Sequence, residues 1–397
     1  MTITDSSSPP PDVLPADGDP AFDVLLRTLV PQFSINDAPA ESGAAKHPLA
    51  SDDAFLSLAR QLLAVQRERV PVYRELAAHR QFDPARIRRL TEIPALPTSA
   101  FKEHAVTSLP PSERRRGFHS SGTTGQEPSR HYHNAASLAG YERSVRAWFQ
   151  PHLLPDEPQA RPGLVCLTPT ADAAPHSSLV HMFETVTRTW GDERVPFVGA
   201  VGHDGAWQLD PAPLEAALEA AVQTNRPLCL LGTAFMFVHW LDHAGATNRR
   251  FRLPPGSRLL ETGGYKGRTR VVPRPELHRL LGESLGIPGS HMVGEYGMSE
   301  LSSQAYDTAI PVAGDAAPVP GRTFHFPPWA RSLVISPEHG GEVEEGGTGL
   351  LRVIDLANLR SVLAVQTEDL AIRRGRGFEL LGRAPGAEPR GCSLAAA

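Results

Sequence analysis

The chain has 397 residues, 41% of them hydrophobic and 21% charged, which supplies a packed core and excludes wholesale disorder. Lys and Arg number 39 against 44 Asp and Glu, so the net charge of -5 excludes the strongly basic surface of a nucleic-acid-binding or membrane-binding protein. The 34 Gly and 38 Pro residues are more than a coiled coil or a helical bundle tolerates.

Residues 1–20 are polar and rich in proline, and they lack the basic start and apolar centre of a signal peptide. We expect them to form a disordered lead. The longest apolar runs, such as residues 226–241, are shorter than the ~18–20 residues that a membrane span requires. We therefore expect no membrane span. Three cysteines are too few for a disulfide framework, so we expect a cytoplasmic protein.

A helix is predicted from Ser51, where apolar residues begin to recur at helical spacing and continue to Leu76. Ser51 is placed to cap this helix, and Asp52 and Asp53 suit the positive end of its dipole. Residues 93–106 are punctuated by proline and are predicted to form a connection between elements.

Short apolar runs alternate with helical stretches after residue 160. Strands are predicted at residues 163–170, 227–233 and 257–265, and a helix at residues 211–224. This alternation is typical of a mainly parallel sheet. Beyond residue 330 the segments RSLVISP, GLLRVIDL and FELLGR are separated by glycine-rich turns. The sequence therefore predicts an α/β fold with a β-rich C-terminal part.

The first candidate for chemistry is the segment HSSGTTGQEPSRHYH at residues 119–133. Six small residues follow one another in it: Ser120, Ser121, Gly122, Thr123, Thr124 and Gly125. Without bulky side chains, backbone N–H groups can surround an anion, and the hydroxyls add donors, which suits a triphosphate. No Lys follows Gly125, so the segment is not a P-loop. An ordinary surface loop remains the alternative.

The second candidate is VGEYGMSEL at residues 293–301. The aromatic ring of Tyr296 beside Gly297 suits a purine face, and the hydroxyl of Ser299 and the carboxylate of Glu300 suit a phosphate and its Mg²⁺. A strand followed by a turn with a capping carboxylate is the alternative.

The third candidate lies near the C-terminus, where Glu368 and Asp369 follow a strand-like stretch. Asp369 is a candidate acceptor for the hydroxyls of a ribose. Arg383 lies further on, in the segment LLGRAPG. Taken singly, these charges are also compatible with solvated loops.

In this order, the motifs resemble those of the adenylate-forming superfamily, which includes acyl-CoA synthetases and peptide-synthetase adenylation domains. The paired glycines of ETGGYKG, Gly263 and Gly264, fall where that superfamily has an adenine-side loop. Within it, the chain is most similar to the acyl-protein synthetases of bacterial luminescence, the LuxE-type family. The segments IPALPTSAFK, FHSSGTTGQEPS and GAEPRGCSL support this, and the resemblance covers roughly residues 90–394.

The resemblance implies an adenylate-forming large domain at residues 21–382 and a short cysteine-bearing tail at residues 383–397, with no full C-terminal small domain. It also implies a two-step reaction. ATP and a carboxylic acid, expected to be a fatty acid, give an acyl-adenylate and pyrophosphate. A thiol then takes the acyl group and releases AMP.

The resemblance also implies roles for individual residues. Residues 120–125 would hold the β- and γ-phosphates, and Tyr296 would pack on adenine. Ser299 would contact the α-phosphate and Glu300 would ligate Mg²⁺. Asp369 would bind the ribose hydroxyls, which Arg383 would reach from the hinge.

Larger relatives supply a catalytic lysine from a C-terminal domain, and the resemblance implies that this lysine has no counterpart by position here. The negative charge that develops at the α-phosphate still requires a cation. Lys266 in GGYKG and Lys102 in AFKEH are the candidates, and we favour Lys266 because its neighbours lie in the expected nucleotide site.

The three cysteines differ in their surroundings. Cys166 and Cys229 lie in apolar, strand-like runs and are predicted to be core residues. Cys392 follows a glycine near Arg390, whose charge favours the reactive thiolate. The resemblance implies that the acyl group rests on Cys392 as a thioester before it passes to a reductase.

Two further features are predicted to be structural. His131 and His133 are two residues apart, but no third ligand is evident, so no histidine metal site is expected. Residues 232–241, GTAFMFVHWL, are predicted to pack in the core, with an acyl pocket as the alternative.

These patterns predict an ATP- and Mg²⁺-dependent ligase that transfers an acyl group to a protein thiol. Its expected partner is an acyl reductase or an acyl carrier protein. Two alternatives are an acid–CoA ligase of the phenylacetate type and a nucleotide-binding subunit without catalysis.

Overall fold

The computed structural model describes residues 14–35, 47–120, 127–157, 161–192, 195–264, 269–311 and 322–384. Helices α1 to α9 cover Pro20–Leu29, Asp52–Arg69, Pro71–Arg80, Ala100–Glu103, Ala135–Leu153, Ser178–Trp190, Pro211–Thr224, Ala234–Ala246 and Arg274–Leu285. Strands β1 to β14 cover Leu96–Pro97, Arg116–His119, Arg130–His133, Gly163–Leu167, Gly199–Val201, Trp207–Leu209, Leu228–Thr233, Arg258–Thr262, Met292–Tyr296, Ala305–Tyr306, Ala330–Ile335, Thr348–Asp355, Ala364–Arg374 and Gly377–Arg383.

The central sheet has the strand order β10-β9-β8-β7-β4. Strands β4, β7, β8 and β9 are parallel, and β10 is antiparallel to β9. Every residue of the four parallel strands is buried, because helices cover both faces of the sheet. Helices α5 and α6 pack on one face, and α7, α8 and α9 pack on the other. The predicted alternation of strands and helices is confirmed.

Helix α7 begins and ends at the predicted residues. The Asp210 side chain caps it by accepting from the Ala212 backbone N–H, and Asn225 ends it in the left-handed conformation at φ 52°. In α8, Met236, Phe237 and Trp240 are buried in the core on the same face of the sheet. The predicted core packing of residues 232–241 is confirmed.

The C-terminal sheet is formed by β11, β12, β13, β14 and β1. Strand β12 pairs with one edge of β13, while the short β1 and the antiparallel β14 pair along the other edge. Strand β1 lies in the predicted connection at residues 93–106, and its Leu96 pairs with Val365. The predicted β-rich C-terminal part is confirmed, and it also recruits a strand from early in the chain.

The long helix predicted from Ser51 is two helices in the structure. α2 ends at Arg69 and α3 begins at Pro71, because a proline lacks the N–H that would continue α2 and is favourable at a first helical position. Ser51 occupies the cap position of α2, but its side chain makes no capping hydrogen bond.

The structure differs from the expected disordered lead at residues 14–20. Asp17 is buried and accepts a hydrogen bond from the Asn134 amide at 2.9 Å. Asp19 caps α1 by accepting from the backbone N–H of Ala21. These buried and capping contacts fix the approach to α1. In the described part of the chain, no helix is long and apolar enough to cross a membrane.

Candidate functional site

The hydroxyl- and glycine-rich segment joins the two strands of a hairpin. Strands β2 and β3 are antiparallel, with Phe118 paired to His131. Beyond the paired strands, the Ser120 N–H donates to the Ser129 carbonyl at 3.1 Å, and the Ser129 N–H donates to Ser120 Oγ at 2.9 Å. These two bonds hold Ser120 and Ser129 together beyond the end of the hairpin. Five of the predicted phosphate-binding residues, Ser121, Gly122, Thr123, Thr124 and Gly125, lie outside the described residues.

The inner face of this hairpin carries His131 and His133, both buried. His131 Nδ1 lies 3.0 Å from the Ser299 carbonyl oxygen, so this nitrogen carries the proton and donates it. Burial lowers the pKa of His131 to about 4, which keeps the imidazole neutral. Among the described residues no group of three or more His, Cys, Asp or Glu side chains is arranged to hold a metal ion.

The turn after β9 brings Ser299 and Glu300 to this hairpin. Glu300 is 1% exposed. One of its carboxylate oxygens accepts from Ser129 Oγ at 2.7 Å, and the other accepts from Ser299 Oγ at 2.9 Å. The Asn358 amide donates to the Glu300 backbone carbonyl at 3.1 Å. The carboxylate therefore lies directly beside the strand that leaves the phosphate-loop candidate.

The third predicted segment meets β9 through Tyr296. The Tyr296 hydroxyl donates to Asp369 Oδ2 at 2.8 Å, and Arg383 Nη1 donates to Asp369 Oδ1 at 3.3 Å. Asp369 and Arg383 are paired neighbours on β13 and β14. Both Glu368 and Asp369 lie inside β13, whereas the sequence placed them after a strand. The structure thus joins the second and third predicted segments.

The ring of Tyr296 is enclosed by aromatic neighbours. Phe324, Phe326 and Phe378 approach it edge to face, with centroid distances of 5.3 to 6.2 Å. The residue is 1% exposed, so a purine reaches the ring only after neighbouring atoms move aside. The predicted contact between Tyr296 and adenine stays a prediction.

The predicted glycine pair follows β8, and both residues are buried. Gly263 has φ +70°, a left-handed conformation that other residues adopt at a cost. At Gly297 a Cβ would collide with a carboxyl oxygen of Glu295, so this glycine makes room for that side chain. Lys266 lies outside the described residues.

A buried acidic group beside these glycines was missed by the sequence analysis. Burial raises the pKa of the Glu295 carboxyl to about 7, although the Thr262 hydroxyl donates to it. Nearby Glu261 is fully buried and forms an ion pair with Arg274 at 2.6 Å. Perturbed buried carboxyls cluster at functional sites. The sequence signal was a glutamate near the carboxyl end of each of two apolar runs, LLE and VGE.

The remaining candidate residues are the three cysteines and Lys102. Cys166 and Cys229 lie on the neighbouring strands β4 and β7, and burial raises the pKa of Cys229 to about 12. Both thiols are core residues, as predicted. Lys102 lies in the short helix α4. Cys392 lies outside the described residues, so its predicted role stays a prediction.

No protein-family model matches the chain, and no curated protein matches its sequence. Solved structures of 2-hydroxyisobutyryl-CoA ligase do match. In the postadenylation state with 2-HIB-AMP, the TM-score is 0.62 at 15% identity, over 95% of this chain and 73% of that chain. The open conformation with 2-HIB-AMP and CoA gives a TM-score of 0.62 at 15% identity, over 96% of this chain and 81% of that chain. The thioesterification state with 2-HIB-AMP and CoA gives a TM-score of 0.62 at 16% identity, over 95% of this chain and 73% of that chain.

At this level of identity the likeness shows the fold. The chain has the mixed α/β fold of an adenylate-forming ligase, with parallel and antiparallel sheets flanked by helices. The predicted fold class is confirmed. Among solved structures, 2-hydroxyisobutyryl-CoA ligase is one enzyme that the chain is similar to.

Proposed function

We propose that this protein uses ATP to activate a carboxylic acid as an acyl-adenylate and then transfers the acyl group to a protein thiol. One observation carries the proposal. Three segments far apart in sequence meet in hydrogen-bonding contact: Ser129 with Glu300 at 2.7 Å, and Tyr296 with Asp369 at 2.8 Å. This convergence is what a site that binds one nucleotide through all three segments requires.

Asp369 is the proposed contact for the ribose of the nucleotide. A carboxylate has about four lone-pair positions, and Tyr296 and Arg383 use one on each oxygen. A carboxylate accepts hydrogen bonds through both of its oxygens, which suits the two hydroxyls of a ribose. Arg383 holds Asp369 in place, because the same guanidinium also donates to the neighbouring Glu368 at 2.5 Å.

The donor set around Glu300 fits Mg²⁺. The ion prefers hard oxygen ligands and is usually held by one or two carboxylates together with substrate phosphates. Glu300 would hold it, with the hydroxyl oxygens of Ser129 and Ser299 adjacent. Bound there, Mg²⁺ would neutralise charge on the phosphates of ATP.

The first step forms a bond between a carboxylate oxygen of the acid and the α-phosphorus of ATP, and it breaks the α–β bridge to release pyrophosphate. We propose Ser120 and residues 121–125 as the phosphate-binding loop and Lys266 as the cation at the α-phosphate. In the second step a thiolate attacks the acyl carbonyl and AMP leaves. We propose Cys392 as that thiolate and a fatty acid as the substrate.

The acceptor beyond Cys392 would be an acyl reductase or an acyl carrier protein. The structural neighbours support the two-step order, since 2-hydroxyisobutyryl-CoA ligase is seen with an acyl-AMP alone and with acyl-AMP together with CoA. That same likeness, which spans 95% of this chain, favours acid–CoA ligation as the second candidate function.

The experiment is ATP–pyrophosphate exchange with acids of different length and aromaticity, followed by labelling with the active acid. We expect exchange with aliphatic acids and a hydroxylamine-sensitive label on the protein. Cys392→Ser should lose the label and keep exchange, while the buried-cysteine control Cys229→Ala should keep both.

Other outcomes separate the alternatives. Label that survives Cys392→Ser excludes the tail thiol from the mechanism. CoA-dependent AMP release with no labelled protein identifies an acid–CoA ligase. Nucleotide binding without exchange for any acid contradicts the proposed activation and leaves a non-catalytic subunit.

A further inference from the structure

Strand β3 and the residue before it, Ser129, lie against the turn that carries Glu300. Two side chains of this stretch contact that turn. Ser129 donates its hydroxyl to the Glu300 carboxylate at 2.7 Å, and His131 donates Nδ1–H to the Ser299 carbonyl at 3.0 Å. Their sequence separations from these partners are 171 and 168 residues, so the contacts are purely tertiary.

Both contacts are shielded from water. Ser129 is fully buried, and His131 is 1% exposed. Water cannot replace a lost donor at such a position, so each bond constrains the turn more than an exposed bond would.

The geometry fixes the orientation of the carboxylate as well as its position. Ser129 and Ser299 each hold one oxygen of Glu300, so together they define the plane of the carboxylate. His131 holds the backbone of Ser299, and its own ring is held by His133 and Phe101 at centroid distances of 4.4 and 6.2 Å. The pairing of β2 with β3 fixes the strand itself.

We propose that Ser129 and His131 are positioning residues that hold the Glu300 carboxylate in the orientation in which it takes Mg²⁺ together with ATP. This inference rests on the proposed function. Neither side chain is a ligand in it. Substitution of such supporting residues typically weakens metal binding by about 10- to 100-fold.

Two pairs of variants test the inference. Ser129→Ala removes the hydroxyl, whereas Ser129→Thr keeps it. His131→Leu removes the donor, whereas His131→Asn keeps an N–H near the position of Nδ1. His152→Asn is the matched control, because His152 is also a buried histidine whose Nδ1 donates to a backbone carbonyl, that of Trp148, at 2.7 Å.

Two readouts are measured on the full chain. The first is the Mg²⁺ concentration that half-saturates ATP–pyrophosphate exchange. The second is the dissociation constant for Mn²⁺, measured by electron paramagnetic resonance in the presence of a non-hydrolysable ATP analogue. This readout does not depend on turnover. Ser129→Ala and His131→Leu should raise both values by about tenfold or more. Their conservative partners and His152→Asn should stay within about twofold of the unmodified protein.

The outcomes separate the inference from the function on which it rests. A purely structural role would lower the melting temperature of Ser129→Ala and His131→Leu and leave both metal readouts unchanged, and that result overturns the inference. If the unmodified protein exchanges no pyrophosphate with any acid, the proposed function fails. The Mn²⁺ readout then still decides whether these residues position Glu300.

Discussion

Glu295→Gln is expected to change how the stability of the protein depends on pH. Glu295 is buried, and burial raises the pKa of its carboxyl from 4.5 to about 7. The hydroxyl of Thr262 and the charge of Arg274 act in the opposite direction, while the neighbouring Glu261 adds to the increase. Glutamine keeps the shape of the protonated side chain and cannot ionise.

The direction of this pH dependence follows from the pKa of the Glu295 carboxyl in the folded and the unfolded chain. The folded-state pKa lies above the unfolded value, so the stability that the protonated carboxyl contributes is fully present below pH 4.5 and is lost as the pH rises through 7. The whole shift corresponds to about 3.4 kcal/mol. About 2.5 kcal/mol of this is lost between pH 5 and pH 8. Glu295→Gln does not suffer this loss.

The assay is urea unfolding of both proteins at pH 5 and pH 8. The unfolding free energy of Glu295→Gln, relative to the unmodified protein, should rise by about 2.5 kcal/mol between the two pH values. Any constant effect of the amide cancels in this comparison. Glu142→Gln is the control of opposite sign, because His181 and Arg188 outweigh burial and lower the pKa of Glu142 to about 2.

For Glu142→Gln the difference from the unmodified protein should stay nearly constant between pH 5 and pH 8 and shrink only below pH 4.5. If the difference for Glu295→Gln is also the same at pH 5 and pH 8, the carboxyl already ionises in the folded protein near its ordinary pKa. The account of Glu295 as a buried, neutral acid would then be wrong.

Two further predictions concern the proposed nucleotide site and the predicted glycine pair. Asp369→Asn should raise the KM for ATP in pyrophosphate exchange by about tenfold, since it weakens the proposed hydrogen bonds to the ribose hydroxyls, and an unchanged KM would remove Asp369 from the site. Gly263→Ala should lower the unfolding free energy by about 1–2 kcal/mol in urea, because its φ of +70° places a Cβ against the following carbonyl. In Gly245→Ala, within α8 and with open space around the Cβ, stability should instead rise by about 0.5–1 kcal/mol, and equal effects at the two positions would contradict the argument.

The parallel sheet was predictable because its strands are buried on both faces. Continuous apolar runs such as LVCL and LCLL are the direct consequence of that burial. The hairpin β2–β3 was not predicted, since its strands RGFH and RHYH carry histidine and arginine and are only four residues long. The part of strand β13 from Glu368 onward was missed because QTEDLAIRR has two acidic and two basic residues around only three apolar ones, which in isolation also fits a loop.

The candidate site was predictable only in part, because a local sequence pattern does not reveal tertiary contacts or burial. The motif order identified residues that the structure joins, such as Tyr296 and Asp369. His131 was interpreted without a partner, because a single histidine gives no information about a carbonyl 168 residues away. Glu295 was missed since an acid near the end of a strand has the same sequence whether it is solvated or buried.

The Glu300 turn is held from two sides by parts of the chain that are distant in sequence. On one side are Ser129, which directly precedes β3, and His131 of β3. On the other, the Asn358 amide donates to the Glu300 carbonyl, and the Gln66 amide of α2 donates to the Asn358 carbonyl at 2.7 Å. Because these groups are buried, the turn cannot shift without leaving polar atoms unsatisfied. The orientation of the carboxylate is therefore set when the chain folds, and the proposed binding of a nucleotide need not order it. By the same reasoning, Gln66 influences the site through the backbone of Glu300 although it lies on a helix that none of the sequence motifs includes.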